Sequence, residues 1–130
     1  MQMHASCAAR HGQGVLVLGP AGSGKSSLIL ALITSGFMLV ADDRVDVSDG
    51  VAQGPPSLAG LLEVRGAGII RLPYLRRAVL RLIVQIGSIS QDLWTATAGS
   101  RPQHMFVPGP QAACAVAVAF AQSWAASRIA

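Results

Sequence analysis

Charged residues are scarce in this sequence: Asp, Glu, Lys and Arg together make up 12% of its 130 residues, against 52% hydrophobic. That balance excludes a disordered chain, because there is ample apolar surface to offset the entropy of ordering. Cysteine is scarcer still. Cys7 and Cys114 form no C-x-x-C pair and lie near no His at metal-ligand spacing, so two free thiols are expected rather than a disulfide framework. Long apolar runs are missing as well: the longest uncharged one lies near Ala112 to Ala121, well short of the roughly 20 residues that cross a bilayer. No basic segment followed by an apolar core and a small-residue cleavage site opens the chain, so no secretory signal is expected and the cytoplasm is the default. Aromatics amount to 5%, and the arginines are spread along the chain. The net charge of +4 therefore forms no basic stripe with interleaved aromatics, and nucleic-acid binding is set aside.

The length suits one globular domain over residues 1–130, long enough to bury about two thirds of its unfolded surface. Gly14 to Leu18 is a short apolar run ending at a glycine, the pattern of a buried strand feeding a tight turn. Ser26 to Ser35 follows as a helix rich in Leu, Ile and Ala, with Gly36 as its C-terminal cap. Phe37 to Ala41 reads as a second buried strand, stopped by Asp42-Asp43. Arg44 to Val51 alternates around Asp49-Gly50, a hairpin signal, and Gly54-Pro55-Pro56 must be a loop. Ser57 is placed to cap a short helix through Leu62, and Ile69–Leu72 and Val79–Ile86 read as further strands. Residues 87 to 110 are weakly patterned, and Gln111 to Ser127 is an Ala-rich helix. The class is α/β, a mixed sheet with flanking helices, without internal repeats.

Gly19-Pro20-Ala21-Gly22-Ser23-Gly24-Lys25-Ser26 matches G-x-x-x-x-G-K-[ST] directly after an expected strand and directly before an expected helix, the context this motif requires. Its glycines let successive N–H groups turn inward as an anion nest, and the helix N-terminus adds its positive dipole end. A polyphosphate is expected there, with Ser27 also in reach. Lys25 is the only lysine of the chain and stands where a compact ammonium meets the β and γ phosphates. Ser26 would supply its hydroxyl to Mg²⁺. ATP and Mg²⁺ are thus the expected ligands; a plain glycine-rich turn is the alternative.

Two of the six acidic residues are adjacent at Asp42-Asp43, just past the second expected strand. In P-loop folds such a strand commonly ends in an aspartate that holds the metal or its water, and a second carboxylate there is free to act as a base toward an incoming hydroxyl. A hydrated turn after a strand would also account for the pair. Glu63 is the sole glutamate, flanked by apolar residues, and Arg65 or a metal would partner it; a surface salt bridge is the simpler alternative. His4 precedes the loop strand by about ten residues and is either frayed or folded back toward the phosphates. His11 and His104 carry no signal.

These residues resemble the HPr kinase/phosphorylase family. The likeness lies in His4-Ala5-Ser6, in Gly14-Val15-Leu16-Val17-Leu18-Gly19, in Leu39-Val40-Ala41-Asp42-Asp43-Arg44-Val45, and in Gly54-Pro55-Pro56. It is most specific in Leu62-Glu63-Val64-Arg65-Gly66-Ala67-Gly68-Ile69-Ile70, which is similar to the family signature, although Ala67 stands where leucine is usual. The late segment Val107-Pro108-Gly109-Pro110 departs from the family's usual Pro-Gly-Arg ending. The resemblance implies a short form consisting of the C-terminal catalytic domain, with a phosphoenolpyruvate carboxykinase-like P-loop fold and hexameric assembly. It implies an ATP-dependent serine kinase acting on HPr, the phosphocarrier of the bacterial sugar phosphotransferase system, and phosphorolysis of that phosphoserine by inorganic phosphate. It puts His4, Lys25, Asp42 and Asp43 at catalytic positions and Ser26 and Glu63 at metal positions. Two other readings stand beside it: a nucleotide-sensing module without catalysis, and a kinase for a small-molecule hydroxyl.

Overall fold

The computed structural model describes residues 1–87 and 102–129, and the surroundings of side chains up to residue 122. The apolar run before the glycine-rich loop is strand β3 (Gln13–Leu18), near the middle of an eight-stranded sheet. Its neighbours are β2 (Ala5–Arg10), antiparallel, and β9 (Arg77–Ile86), parallel, so the sheet is mixed. Beyond β2 lies β4 (Met38–Ala41); beyond β9 come β6 (Val51–Gln53), β5 (Val45–Ser48) and β1 (Gln2–Met3). Strand β10 (Gln103–Val107) pairs in parallel with the C-terminal half of β9. A separate hairpin joins β7 (Leu61–Val64) to β8 (Gly68–Arg71).

Period-two alternation along these strands builds a core on each face. Val15 and Val17 of β3 and Leu82, Val84 and Ile86 of β9 face α1 (Lys25–Thr34) and α2 (Ala113–Ile129). Leu16 and Leu18 face the opposite way, where Met3, Val45, Val47 and Ala52 from the outer strands meet Ala5, Cys7 and Val40. Among the described elements both helices thus lie on one face, and strands fill the other. Helix α1 buries Leu28, Ile29 and Leu32, each worth about 1.5–3 kcal/mol of apolar burial. It stops in a Schellman arrangement: the Gly36 N–H bonds to the Ile33 carbonyl (3.0 Å) and the Phe37 N–H to Leu32 (3.1 Å). Phe37 then packs edge-to-face on Phe120 of α2, centroids 5.0 Å apart. Among the described residues no helix is long and apolar enough to cross a membrane.

The hairpin expected at Asp49-Gly50 forms as a two-residue turn with both central φ angles positive, 52° and 77°, whose twist matches that of its strands. A second such turn at His11-Gly12 joins β2 to β3. One expectation needs correction, and the structure decides two points left open. Ser57 starts no helix through Leu62: Pro56–Leu58 is a single 3₁₀ turn without a side-chain cap, and the chain then becomes extended because Leu62 is buried in the core from β7. The N-terminus is not frayed, since β2 is a buried interior strand between β3 and β4. Within the weakly patterned stretch 87–110, β10 is present; positions 88–101 fall outside the described residues. The C-terminal helix begins at Ala113, after a 3₁₀ turn at Pro110–Ala112.

Candidate functional site

Strand β3 ends at Leu18 and α1 begins at Lys25, so the six residues between them reverse the chain at one end of the sheet. The Ser23 N–H bonds to the Pro20 carbonyl (3.1 Å), and Gly24, with φ 101°, starts the helix without a side-chain cap. Gly24 is also sterically required: a Cβ there would meet the Pro110 ring at 2.7 Å. The late Val107-Pro108-Gly109-Pro110 segment is therefore packed against the loop. The first-turn amides of α1 point outward with no acidic side chain in that turn, leaving the positive end of the helix dipole open to an anion. Lys25 folds back over its own loop, Nζ donating to the carbonyls of Gly19 (2.8 Å) and Pro20 (3.2 Å).

A cavity of about 450 Å³ lies over these amides. One wall is Ala21, Gly22, Gly24, Lys25, Ser26 and Ser27; the other is Ser6, Asp43, Glu63 to Gly66 and Gly68. Gly19, Pro20 and Ser23 shape the loop without lining the cavity. The second wall is assembled from three places in the chain. The β7–β8 hairpin is pinned by the buried Leu62, by a Glu63 N–H bond to Asp42 Oδ2 (3.1 Å) and by a Leu72 N–H bond to the Gly60 carbonyl (2.7 Å). Its turn, Arg65 to Ala67, then projects beside the phosphate loop.

The two aspartates sit in unlike surroundings. Asp42 is 8% exposed, and its carboxylate accepts hydrogen bonds from Ser6 Oγ (2.7 Å), Ser26 Oγ (2.8 Å) and the Glu63 amide. Three donors offset the cost of burying that charge. Asp43 is exposed, lines the cavity, and adopts φ 70°, a left-handed conformation that Asp tolerates better than most residues. Its own N–H donates to Ser6 Oγ (3.2 Å).

Glu63 and Arg65 both face the cavity, yet they form no ion pair: the ion pair found among the described residues joins the N-terminal ammonium to Asp46. Of the two partners expected for Glu63, Arg65 or a metal, Arg65 is thus not paired with it, and both side chains line the cavity. His4 is exposed at the junction of β1 and β2 and does not line the cavity; His11 lies in a hairpin turn and His104 on β10. Sequence reasoning gave Ser6 no part in the site and saw Arg65 only as a partner for Glu63. The signature stretch 62–70 was the available signal for Arg65; for Ser6 there was none beyond its place two residues after His4.

The donor set suits a hard cation. Ser26, Asp43 and Glu63 offer oxygen atoms around one cavity, but among the described residues no three His, Cys, Asp or Glu side chains converge into a metal cage. Mg²⁺ fits such a wall, because it is usually held by one or two protein oxygens, water and the phosphates it accompanies.

Residues 1–86 match the family model for the HPr serine kinase C-terminal domain. Over 78 residues the chain is 47% identical to an HPr kinase/phosphorylase of Clostridium novyi (strain NT), covering 57% of this chain and 25% of that protein. Over 102 residues it is 40% identical to one of Latilactobacillus sakei subsp. sakei (strain 23K), covering 69% and 33%. The matched region thus spans a quarter to a third of the length of these relatives. The fold is similar to that of the Hpr(Ser) kinase/phosphatase from Coxiella burnetii, with a TM-score of 0.71 at 23% identity over 89% of this chain and 86% of that one.

Proposed function

Because the chain belongs to the HPr serine kinase C-terminal domain family, we propose that it forms the catalytic domain of an ATP-dependent protein serine kinase that phosphorylates HPr, built on a phosphoenolpyruvate carboxykinase-like P-loop fold. The observation that carries this reading is the cavity itself: one wall offers backbone amides and Lys25 to phosphates, and the facing wall offers carboxylates and Arg65.

In this reading the amides of residues 21, 22 and 24–27, at the N-terminus of α1, bind the polyphosphate, and Lys25 leaves its loop carbonyls for the β and γ phosphates. Ser26 and Glu63 would hold Mg²⁺, which supplies charge neutralisation along the phosphates when bound. Asp42 is fully engaged by its three donors and fixes the Ser26 hydroxyl. The Asp43 carboxylate lines the cavity, is not taken as a metal ligand as Glu63 is, and serves as the general base. It takes the proton of the incoming serine hydroxyl as that oxygen bonds to the γ phosphorus and the bond to the bridging oxygen of ADP breaks. In phosphorolysis an oxygen of inorganic phosphate bonds to the phosphoserine phosphorus as the serine O–P bond breaks, giving pyrophosphate, and Asp43, protonated from solvent, gives its proton to the departing serine oxygen.

The test is incubation with γ-labelled ATP, Mg²⁺ and purified HPr, followed by phosphosite mapping. Label on an HPr serine is the expected result. Label on small hydroxyl metabolites instead, or ATP binding without transfer to any acceptor, would overturn the assignment.

A further inference from the structure

We infer that Ser6 is a positioning residue that aims both aspartates, a role that rests on the kinase reading of the cavity for its catalytic consequence but on geometry for its existence. Ser6 lies in the interior of β2 with no exposed surface, yet its side chain forms part of the cavity floor. Its hydroxyl is used in both senses: Oγ donates to Asp42 Oδ1 at 2.7 Å and accepts from the Asp43 N–H at 3.2 Å. A residue 36 and 37 positions distant in sequence thereby holds the side chain of one aspartate and the backbone of the next.

The two bonds do different work. Asp42 Oδ1 also accepts from Ser26 Oγ at 2.8 Å, so the chain Ser6–Asp42–Ser26 ties β2 to the end of β4 and the first turn of α1. Among the described residues Asp43 is one of three non-glycine residues with positive φ, and the other two stand in hairpin turns. No hairpin imposes φ 70° at Asp43. A left-handed conformation outside such a turn persists only when its surroundings over-determine it, and the bond from its own amide to a fully buried hydroxyl is the constraint available. The β2–β4 pairing shifts register between Cys7 and Ala8, next to Ser6, where Cys7 stands opposite Ala41 and Ala8 opposite Leu39.

Removing the hydroxyl leaves the phosphate loop, Lys25 and the Ser26–Asp42 bond in place. It frees the Asp43 amide, so the carboxylate that takes the proton is no longer aimed. The loss is therefore expected in the chemical step and not in nucleotide binding.

The test compares the wild-type chain with Ser6→Ala, whose side chain fits the same space. In steady-state phosphorylation of HPr, kcat is expected to fall ~10- to 100-fold, the cost of a misplaced reacting group, while the KM for ATP and the Kd for ADP stay within about twofold. In amide hydrogen exchange, the Asp43 N–H is expected to exchange about tenfold faster, with amides in the interior of β3 unchanged. A wild-type kcat in the variant, an unchanged Asp43 amide, or a uniform rise in exchange across β2, β3 and β4 would each overturn the inference. Should the wild-type chain phosphorylate no acceptor, the kinase reading fails by itself, and the Asp43 amide still decides whether Ser6 holds the turn.

Discussion

The two walls of the cavity were made in different ways. The phosphate loop is eight consecutive residues whose shape follows from local chemistry: glycines where φ is positive, a strand before them and a helix after. The facing wall draws on Ser6, Asp43 and the β7–β8 hairpin, held together by Asp42 and by the burial of Leu62. A contiguous wall is robust, because each residue is placed by its neighbours in sequence. An assembled wall is placed by contacts that a single distant substitution can release.

The largest expected effect falls on the contiguous wall. Lys25→Ala should lower transfer to HPr by a factor on the order of 10³, about 4 kcal/mol of transition-state stabilisation, measured as kcat/KM. A near-normal rate would remove Lys25 from the mechanism. On the assembled wall Leu62→Ala should cost about 2–4 kcal/mol by denaturant unfolding, since it empties a buried position. Because Leu62 pins the hairpin, the same variant should lose transfer before it loses ADP binding, and equal losses would show that the walls are not independent. Asp43→Asn should lower kcat ~10²-fold with ADP affinity preserved, as expected when a general base is removed from an intact phosphate site. The smallest effect contrasts the two thiols. Cys7 is buried, and burial pushes its thiol pKa up to about 12, whereas Cys114 is exposed. A thiolate-selective reagent at pH 8 should modify Cys114 alone in the folded protein and both residues after denaturation, because the thiolate is the reacting form.

Legibility in the sequence divides along the same line. Strand β3, helix α1, strand β4 and the Asp49-Gly50 hairpin were readable because apolar runs, a Schellman glycine and a turn dipeptide are local signals. Strand β2 was not: Ala-Ser-Cys-Ala-Ala-Arg has little strand propensity, and it is a strand because β3 and β4 pair with it on both sides. The sequence reads Leu61-Leu62 as the end of a helix, whereas tertiary burial of Leu62 draws Leu61–Val64 into an extended hairpin. Strand β10 lies in a stretch without periodicity and owes its form to parallel pairing with β9.

Of the residues expected in the site from sequence, Ala21, Gly22, Gly24 to Ser27, Asp43 and Glu63 line the cavity. The unlike surroundings of Asp42 and Asp43, the absence of an ion pair between Glu63 and Arg65, and the double use of the Ser6 hydroxyl came only with the fold. By itself the sequence determined where the glycine-rich strand–loop–helix turn would form, since its shape is a property of consecutive peptide groups. Which carboxylate is tethered and which is free was decided by tertiary structure, because that depends on donors delivered from β2, α1 and β7, and no local pattern encodes their meeting.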